Sequence, residues 1–287
     1  MTAVLDRNAE PEAFLADFER RAARIETPCG EGAMVWRVWG EGEPLVLAHG
    51  AQGSWTHWIA NIDRLSRHRR LIVADLPGHG DSAMPETPDH EGIAKALADG
   101  LPHILDGALP VDLCGFSFGG VAFAHLAAFH PEVARRLVIV GCGGLGTPHR
   151  PPNLSRVSGT QGEERRAVLK GNLLDLMLHH EDSADELAIH MLLPTAKAAR
   201  LHVPHLVMPD RLAKILPQVR CPVDAIWGEF DRLHPDPAVQ EAVVRSIQTD
   251  CDFRVIEGAG HWAMYERPGA FEEALLAILA TPPRQIE

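Results

Sequence analysis

The chain has 287 residues, 46 % of them hydrophobic, with a formal net charge of -12. That length suits one α/β domain carrying an insertion. An acidic surface disfavours polyanions, so nucleic acid is excluded as an expected partner, and no apolar run approaches the ~18 residues of a membrane span. The five cysteines (Cys29, Cys114, Cys142, Cys221 and Cys251) are odd in number and form no CxxC pair. Cys114, Cys142 and Cys221 sit in or beside apolar runs and read as small buried hydrophobes in a reducing compartment. Met1–Pro11 is polar and acidic, without the basic and apolar regions of a signal peptide. These features point to a soluble, cytoplasmic protein.

In chain order, Glu12–Arg24 places Phe14, Leu15, Phe18 and Ala22 on one helical face, and a leading helix is expected there, at about 12–24. Met34–Trp39 reads as a strand turned by Gly40-Glu41-Gly42. Short apolar runs follow at Leu45–Ala48, Leu71–Ala74, Val111–Cys114, Leu137–Val140, Val223–Trp227 and Phe253–Ile256. Several are apolar throughout rather than alternating, which suits strands covered on both faces. Helical patterns separate them at Trp55–Leu65, Gly92–Leu105, Phe118–Phe129, Val239–Ile247 and Pro268–Leu279. This rhythm predicts an α/β fold built on a mostly parallel, doubly wound sheet.

The rhythm breaks between about 146 and 220. No strand pattern appears there; Pro148, Pro151 and Pro152 lead into helical patterns at Glu163–Leu178 and Ser183–Leu193. The expected organisation is a core of 1–145 and 213–287, with a helical cap of 146–212 inserted after the strand around Leu137–Val140.

Chemistry concentrates at the ends of the apolar runs. Gly115-Phe116-Ser117-Phe118-Gly119 turns a strand into a helix, and the flanking glycines remove the side chains that would block so tight a turn. A serine hydroxyl needs a histidine base oriented by a carboxylate. Asp231 follows the run Val223–Trp227, and His261 follows Phe253–Ile256. In a parallel sheet these loops share one edge, where ligands bind. The expected catalytic residues are therefore Ser117, His261 and Asp231. His49-Gly50-Ala51-Gln52-Gly53-Ser54 follows Leu45–Ala48. The backbone N–H groups of Ala51 and Phe118 are expected to hold the oxyanion that acyl transfer creates, with His49 organising that loop. The candidate substrate pocket comprises His49, Ser54, Trp55, Leu174, Met177 and Trp262. His79 is expected to be structural.

Two other patterns carry no assignment. Gly141-Cys142-Gly143-Gly144-Leu145-Gly146 matches a dinucleotide fingerprint, but the prolines after it forbid the helix that would hold a pyrophosphate. The pairs His179-His180, His202 with His205, and His125 with His130 lack the spacing of a tight metal site. Neither a cofactor nor a metal is expected.

His49-Gly50, the turn Asp75-Leu76-Pro77-Gly78-His79-Gly80-Asp81-Ser82, Gly115-Phe116-Ser117-Phe118-Gly119-Gly120, Asp231 and Gly260-His261 together resemble the α/β-hydrolase superfamily from about Met34 onward. The resemblance implies the α/β-hydrolase fold and a serine hydrolase of the carboxylesterase type. Its substrate would be a small to medium, largely apolar ester, lactone or thioester. Gly260-His261-Trp262 and Asp231-Arg232 are also similar to hydrolases that cleave carbon–carbon bonds of ring-fission products. Where that group has Gly-Pro-Gly and an Asn before the serine, this chain has Gln52-Gly53-Ser54 and Phe116. A C–C bond hydrolase is therefore the alternative enzyme, and a non-catalytic ligand receptor is the alternative of another class. The expected partner is a small molecule, with neither nucleic acid nor membrane; a homodimer is left open.

Overall fold

A computed structural model describes residues 10–282. Most of the polar, acidic segment Met1–Pro11 lies outside the described residues. Eight strands form one sheet: β1 (Ala23–Cys29), β2 (Gly32–Trp39), β3 (Pro44–Ala48), β4 (Arg70–Ala74), β5 (Val111–Phe116), β6 (Ala134–Val140), β7 (Val223–Gly228) and β8 (Phe253–Ile256). Their order is β1-β2-β4-β3-β5-β6-β7-β8. Pairings β1/β2 and β2/β4 are antiparallel; every pairing from β4 to β8 is parallel. The expected doubly wound, mostly parallel sheet is present.

The continuously apolar runs are strands buried on both faces. Leu45 and Leu47 join one hydrophobic layer while Val46 and Ala48 join the other; Val138 and Val140 likewise oppose Leu137 and Ile139. Period-two alternation thus feeds two cores at once. One face carries the helices His90–Ile104 and Phe118–Phe129, the other Pro268–Ala280 and Gly162–Leu176. Between β6 and β7 the chain contains no strand, only helical elements, the longest being Gly162–Leu176 and Glu186–Ala198. No helix among the described residues is long and apolar enough to cross a membrane.

Three elements differ from the sequence pattern. The leading helix is Pro11–Arg21, and the chain then enters β1, which the helical pattern ran into. Strand β1 is largely exposed and contains Pro28, so it lacks an apolar signature; an edge strand tolerates both. Trp55–Leu65 is not one helix. A 3₁₀ turn spans Trp55–Trp58, and an α turn spans Ile62–Leu65. Buried Asn61 separates them, its amide donating to the Met264 carbonyl (2.9 Å) and Glu272 (3.0 Å). The helix expected at Ser183–Leu193 is Glu186–Ala198, which runs through Pro194 and starts at Asp185, whose carboxylate accepts from Ala188 N–H (2.9 Å). All five cysteines are buried free thiols.

The strand order sets where a ligand can sit. The chain steps from β3 outward to β4, then back across β3 to β5. This reversal opens a crevice at the carboxyl ends of β3 and β5. Ala48 pairs with Gly115, so His49-Gly50 and Phe116-Ser117 leave the sheet side by side. Phe116 pairs with Val140, Val140 with Ile226, and Gly228 with Ile256, so the loops after β6, β7 and β8 line up along the same edge.

Candidate active site

Ser117 occupies a backbone conformation that L-residues rarely adopt, φ 50 and ψ -117, between the end of β5 and the helix Phe118–Phe129. Such a conformation costs of order 1–3 kcal/mol and must be held by its surroundings. Ser117 N–H donates to the Val140 carbonyl (2.8 Å), and the Ser117 carbonyl accepts from Gly120 N–H (3.1 Å). The turn is too tight for a Cβ at either glycine. One at Gly115 would lie 2.5 Å from Gly119 and Gly120 backbone, and one at Gly119 would lie 2.6 Å from the Ala48 and His49 carbonyl oxygens. Ser117 is half-buried, whereas Asp231 and His261 are buried.

Asp231 and His261 meet although 30 residues separate them: His261 Nδ1 lies 2.8 Å from Asp231 Oδ2. The contact assigns the proton to Nδ1 and leaves Nε2 as the ring's basic atom. Asp231 Oδ1 accepts from the backbone N–H groups of Leu233 (2.9 Å) and His234 (3.2 Å). Burial alone would raise the Asp231 carboxyl. The charge of His261 and the bonds from His234 and His261 outweigh it and hold the pKa below the usual carboxylate range. The His261 ring packs against Phe116, the residue before Ser117, with centroids 4.9 Å apart. Gly141 approaches the pair closely: a Cβ there would lie 3.3 Å from His261 Nδ1 and 3.4 Å from Asp231 Oδ2. The fingerprint-like Gly141–Gly146 segment is thus an irregular loop against the Asp231–His261 pair, with no helix at its start.

The loop after β3 crosses over Ser117. A Cβ on Gly50 would approach Ser117 Cβ to 3.2 Å. His49 fixes this loop by hydrogen bonds alone. Its Nε2 accepts from Leu76 N–H (2.9 Å), so Nδ1 carries the proton and donates to the Gly50 carbonyl (2.7 Å). Burial lowers its pKa to about 4, keeping the ring neutral. Asp75 secures the neighbouring turn, accepting from Trp55 N–H (2.8 Å) and pairing with buried Arg37 (2.8 Å). His79 is buried and edge-on to His49, with its Nδ1 3.2 Å from the Pro77 carbonyl. Ala51 follows this anchored segment, and Phe118 opens the helix, where first-turn amides have no intrahelical partner.

The pocket residues divide. Met177 and Trp262 line a cavity of about 30 Å³ with Ala51, His57 and Met191. Ser54 and Trp55 line a different cavity of about 280 Å³, between the leading helix and Glu186–Ala198. Met191 and Thr195 border both. Leu174 is half-buried, and its carbonyl accepts from Arg232 Nη1 (3.1 Å). Three further residues were missed. His57 is buried against Trp262 and Phe116, and its Nδ1 accepts from Gly50 N–H (3.3 Å). His234 places Nδ1 3.5 Å from Asp231 Oδ2. Glu266 is buried beside Gly260. Their positions depend on segments far apart in sequence; the one local signal was His234, a histidine three residues after Asp231. Among the described residues, Asp231, His234 and His261 are the one set of three metal-type ligands close together.

The family model described as "Alpha/beta hydrolase family" matches residues 45–274. A 2-hydroxy-6-oxononadienedioate/2-hydroxy-6-oxononatrienedioate hydrolase from Pseudomonas sp is 25 % identical over 83 % of this chain and 88 % of its own. A pimeloyl-[acyl-carrier protein] methyl ester esterase from Vibrio cholerae is 39 % identical over 38 % of this chain and 40 % of its own. Among solved structures, a thermophilic esterase from Thermogutta terrifontis superposes with a TM-score of 0.70 at 26 % identity, covering 90 % of this chain and 98 % of that one. Carboxylesterase CesB from Bacillus subtilis reaches 0.77 at 16 % identity over 96 % and 98 %, a likeness of fold. With this match spanning most of its length and this sheet beneath it, the chain belongs to the alpha/beta hydrolase family.

Proposed function

We propose that the protein is a serine hydrolase of the carboxylesterase type that works through an acyl-enzyme. The observation that carries this reading is the 2.8 Å contact between His261 Nδ1 and Asp231 on the same sheet edge as the strained Ser117 elbow. In this reading His261 Nε2 takes the Ser117 proton as the hydroxyl attacks a carbonyl carbon. Asp231 fixes the tautomer and stabilises the imidazolium. The Ala51 and Phe118 amides hold the oxyanion; one such donor is worth roughly 3–4 kcal/mol. His261 then protonates the leaving group, and water, activated by the same ring, releases the acid.

The segment 146–212 is the cap over this edge. Its apolar residues Leu173, Met177 and Met191 support a largely apolar acyl group. The cavity beside Ala51 is about 30 Å³, too small for a medium-length acyl chain, while about 280 Å³ lies beyond Met191. Unbranched, adaptable Met191 is the side chain whose rotation would join them. A panel of p-nitrophenyl esters tests the reading. Turnover with a burst of nitrophenol and a preference for medium chains is expected; absence of turnover on every ester would refute it. The second reading is hydrolysis of a C–C bond in a vinylogous diketone, favoured by the likeness to the Pseudomonas hydrolase across 83 % of this chain. Faster turnover of ring-fission products than of any ester would establish it instead.

A further inference from the structure

The segment that carries His261 is held from an unexpected side. Glu266 is 3 % exposed, and the neighbouring Arg267 Nη1 donates to its backbone carbonyl (3.0 Å) rather than to its carboxylate. Its carboxylate is surrounded by backbone donors. Oε2 accepts from Gly260 N–H (2.6 Å) and His179 N–H (3.1 Å); Oε1 accepts from His179 N–H (3.0 Å) and His180 N–H (2.6 Å). A second bond runs the other way across the same junction, from Trp262 N–H to the Met177 carbonyl (2.8 Å). The residues on either side of His261 are therefore both tied, through Glu266 and directly, to residues 177–180 at the end of the helix Gly162–Leu176. Packing is tight there too: a Cβ on Gly260 would lie 2.8 Å from His179 N.

We infer that Glu266 is a positioning residue for the reaction: it sets the location of His261 by clamping Gly260 to the 177–180 segment of the cap. The role rests on His261 acting as the base. Two carboxylate oxygens are required, because each end of the clamp presents N–H donors. Glutamine offers one acceptor oxygen and turns an NH₂ donor toward the other end, so one end must open. If Gly260 swings free, the imidazole leaves its attack geometry, and a displacement of about 1 Å can cost about 100-fold in rate. The cavity-lining residues Met177 and Trp262 are joined by their own 2.8 Å backbone bond, which does not involve Glu266, so the loss falls on kcat.

The test compares wild type with Glu266→Gln, Glu266→Asp and Gly260→Ala on p-nitrophenyl acetate, with rates normalised to the folded fraction from circular dichroism. The expected result for Glu266→Gln and Gly260→Ala is a 10- to 100-fold lower kcat with KM within about threefold of wild type. Glu266→Asp, which keeps both oxygens, should recover part of the loss. A Glu266→Gln protein that melts earlier but keeps kcat within threefold per folded molecule would overturn the inference and leave Glu266 as a structural clamp. Should Glu266→Gln not fold, Glu266→Asp decides: the shorter side chain cannot span Gly260 and His180 together, so kcat per folded molecule should fall at least threefold, and a wild-type kcat would overturn the inference. A wild-type protein without ester turnover would overturn both this role and the esterase reading.

Discussion

Replacing Asp231 with asparagine tests how the carboxylate is used. Every polar neighbour of Asp231 is a donor toward it. Oδ1 faces the N–H groups of Leu233 and His234, and Oδ2 faces His261 Nδ1 at 2.8 Å and His234 Nδ1 at 3.5 Å. An asparagine amide must therefore direct its NH₂ at donors on one side. The backbone amides cannot change role, but an imidazole can, so the NH₂ faces His261. His261 Nδ1 becomes the acceptor, and the ring proton moves to Nε2, where the proposed mechanism needs the base. The protein keeps its shape and loses its tautomer. Wrong-tautomer variants of this kind lose about 10⁴ in kcat, equal to about 5.5 kcal/mol of transition-state stabilisation. Steady-state kinetics on p-nitrophenyl acetate give the ratio, and circular dichroism checks that the fold is intact. A folded Asp231→Asn protein within tenfold of wild type would refute the assignment of Asp231 as the orienting carboxylate.

Other consequences follow from the same geometry. Met191→Trp should lower kcat/KM for octanoate esters at least tenfold while acetate stays within threefold, because the bulk closes the way toward the 280 Å³ cavity; equal losses on both would argue against that route. Gly119→Ala should destabilise the fold by about 1–3 kcal/mol and abolish activity, since its Cβ meets two backbone carbonyls at 2.6 Å; urea unfolding with an unchanged midpoint would contradict this. Acid should weaken the fold before it reaches the carboxylates. Burial pushes His49 and His125 down to about 4 and His79 to about 3, whereas unfolded histidine titrates near ~6.5. The unfolded chain then binds more protons, so stability is full above pH ~6.5 and falls as pH drops toward the folded values, by on the order of 2 kcal/mol per histidine at pH 4.5. A urea midpoint unchanged between pH 7 and 4.5 would refute it.

The parallel core was legible because strands buried on both faces leave continuous apolar runs, as Leu45–Ala48 and Leu137–Val140 do. Ser117 was legible because its turn demands small neighbours at fixed spacing, and the positions of Asp231 and His261 followed from the shared strand edge. Strand β1 was hidden by its exposure: Arg24-Ile25-Glu26-Thr27 alternates too weakly to distinguish it from a continuing helix. Asn61 broke the segment after Trp55 through contacts with residues more than 200 positions away, which no local pattern encodes. His57 and Glu266 escaped notice for the same reason: the His57 carbonyl accepts from the distant Trp262 indole, and the Glu266 carboxylate from the distant His180 N–H. Ser54 and Trp55 lie near Ala51 in sequence, but the chain turns at Ala51-Gln52, and they line the other cavity.

The proposed mechanism requires Ser117 to be the nucleophile that His261 activates. Treating the protein with a fluorophosphonate and mapping the modified peptide by mass spectrometry tests this most directly. One label per chain on Ser117 is expected, absent in Ser117→Ala and at least 100-fold slower to form in His261→Ala. A label on another residue, or wild-type protein left unmodified under conditions that label a reference serine esterase, would contradict it.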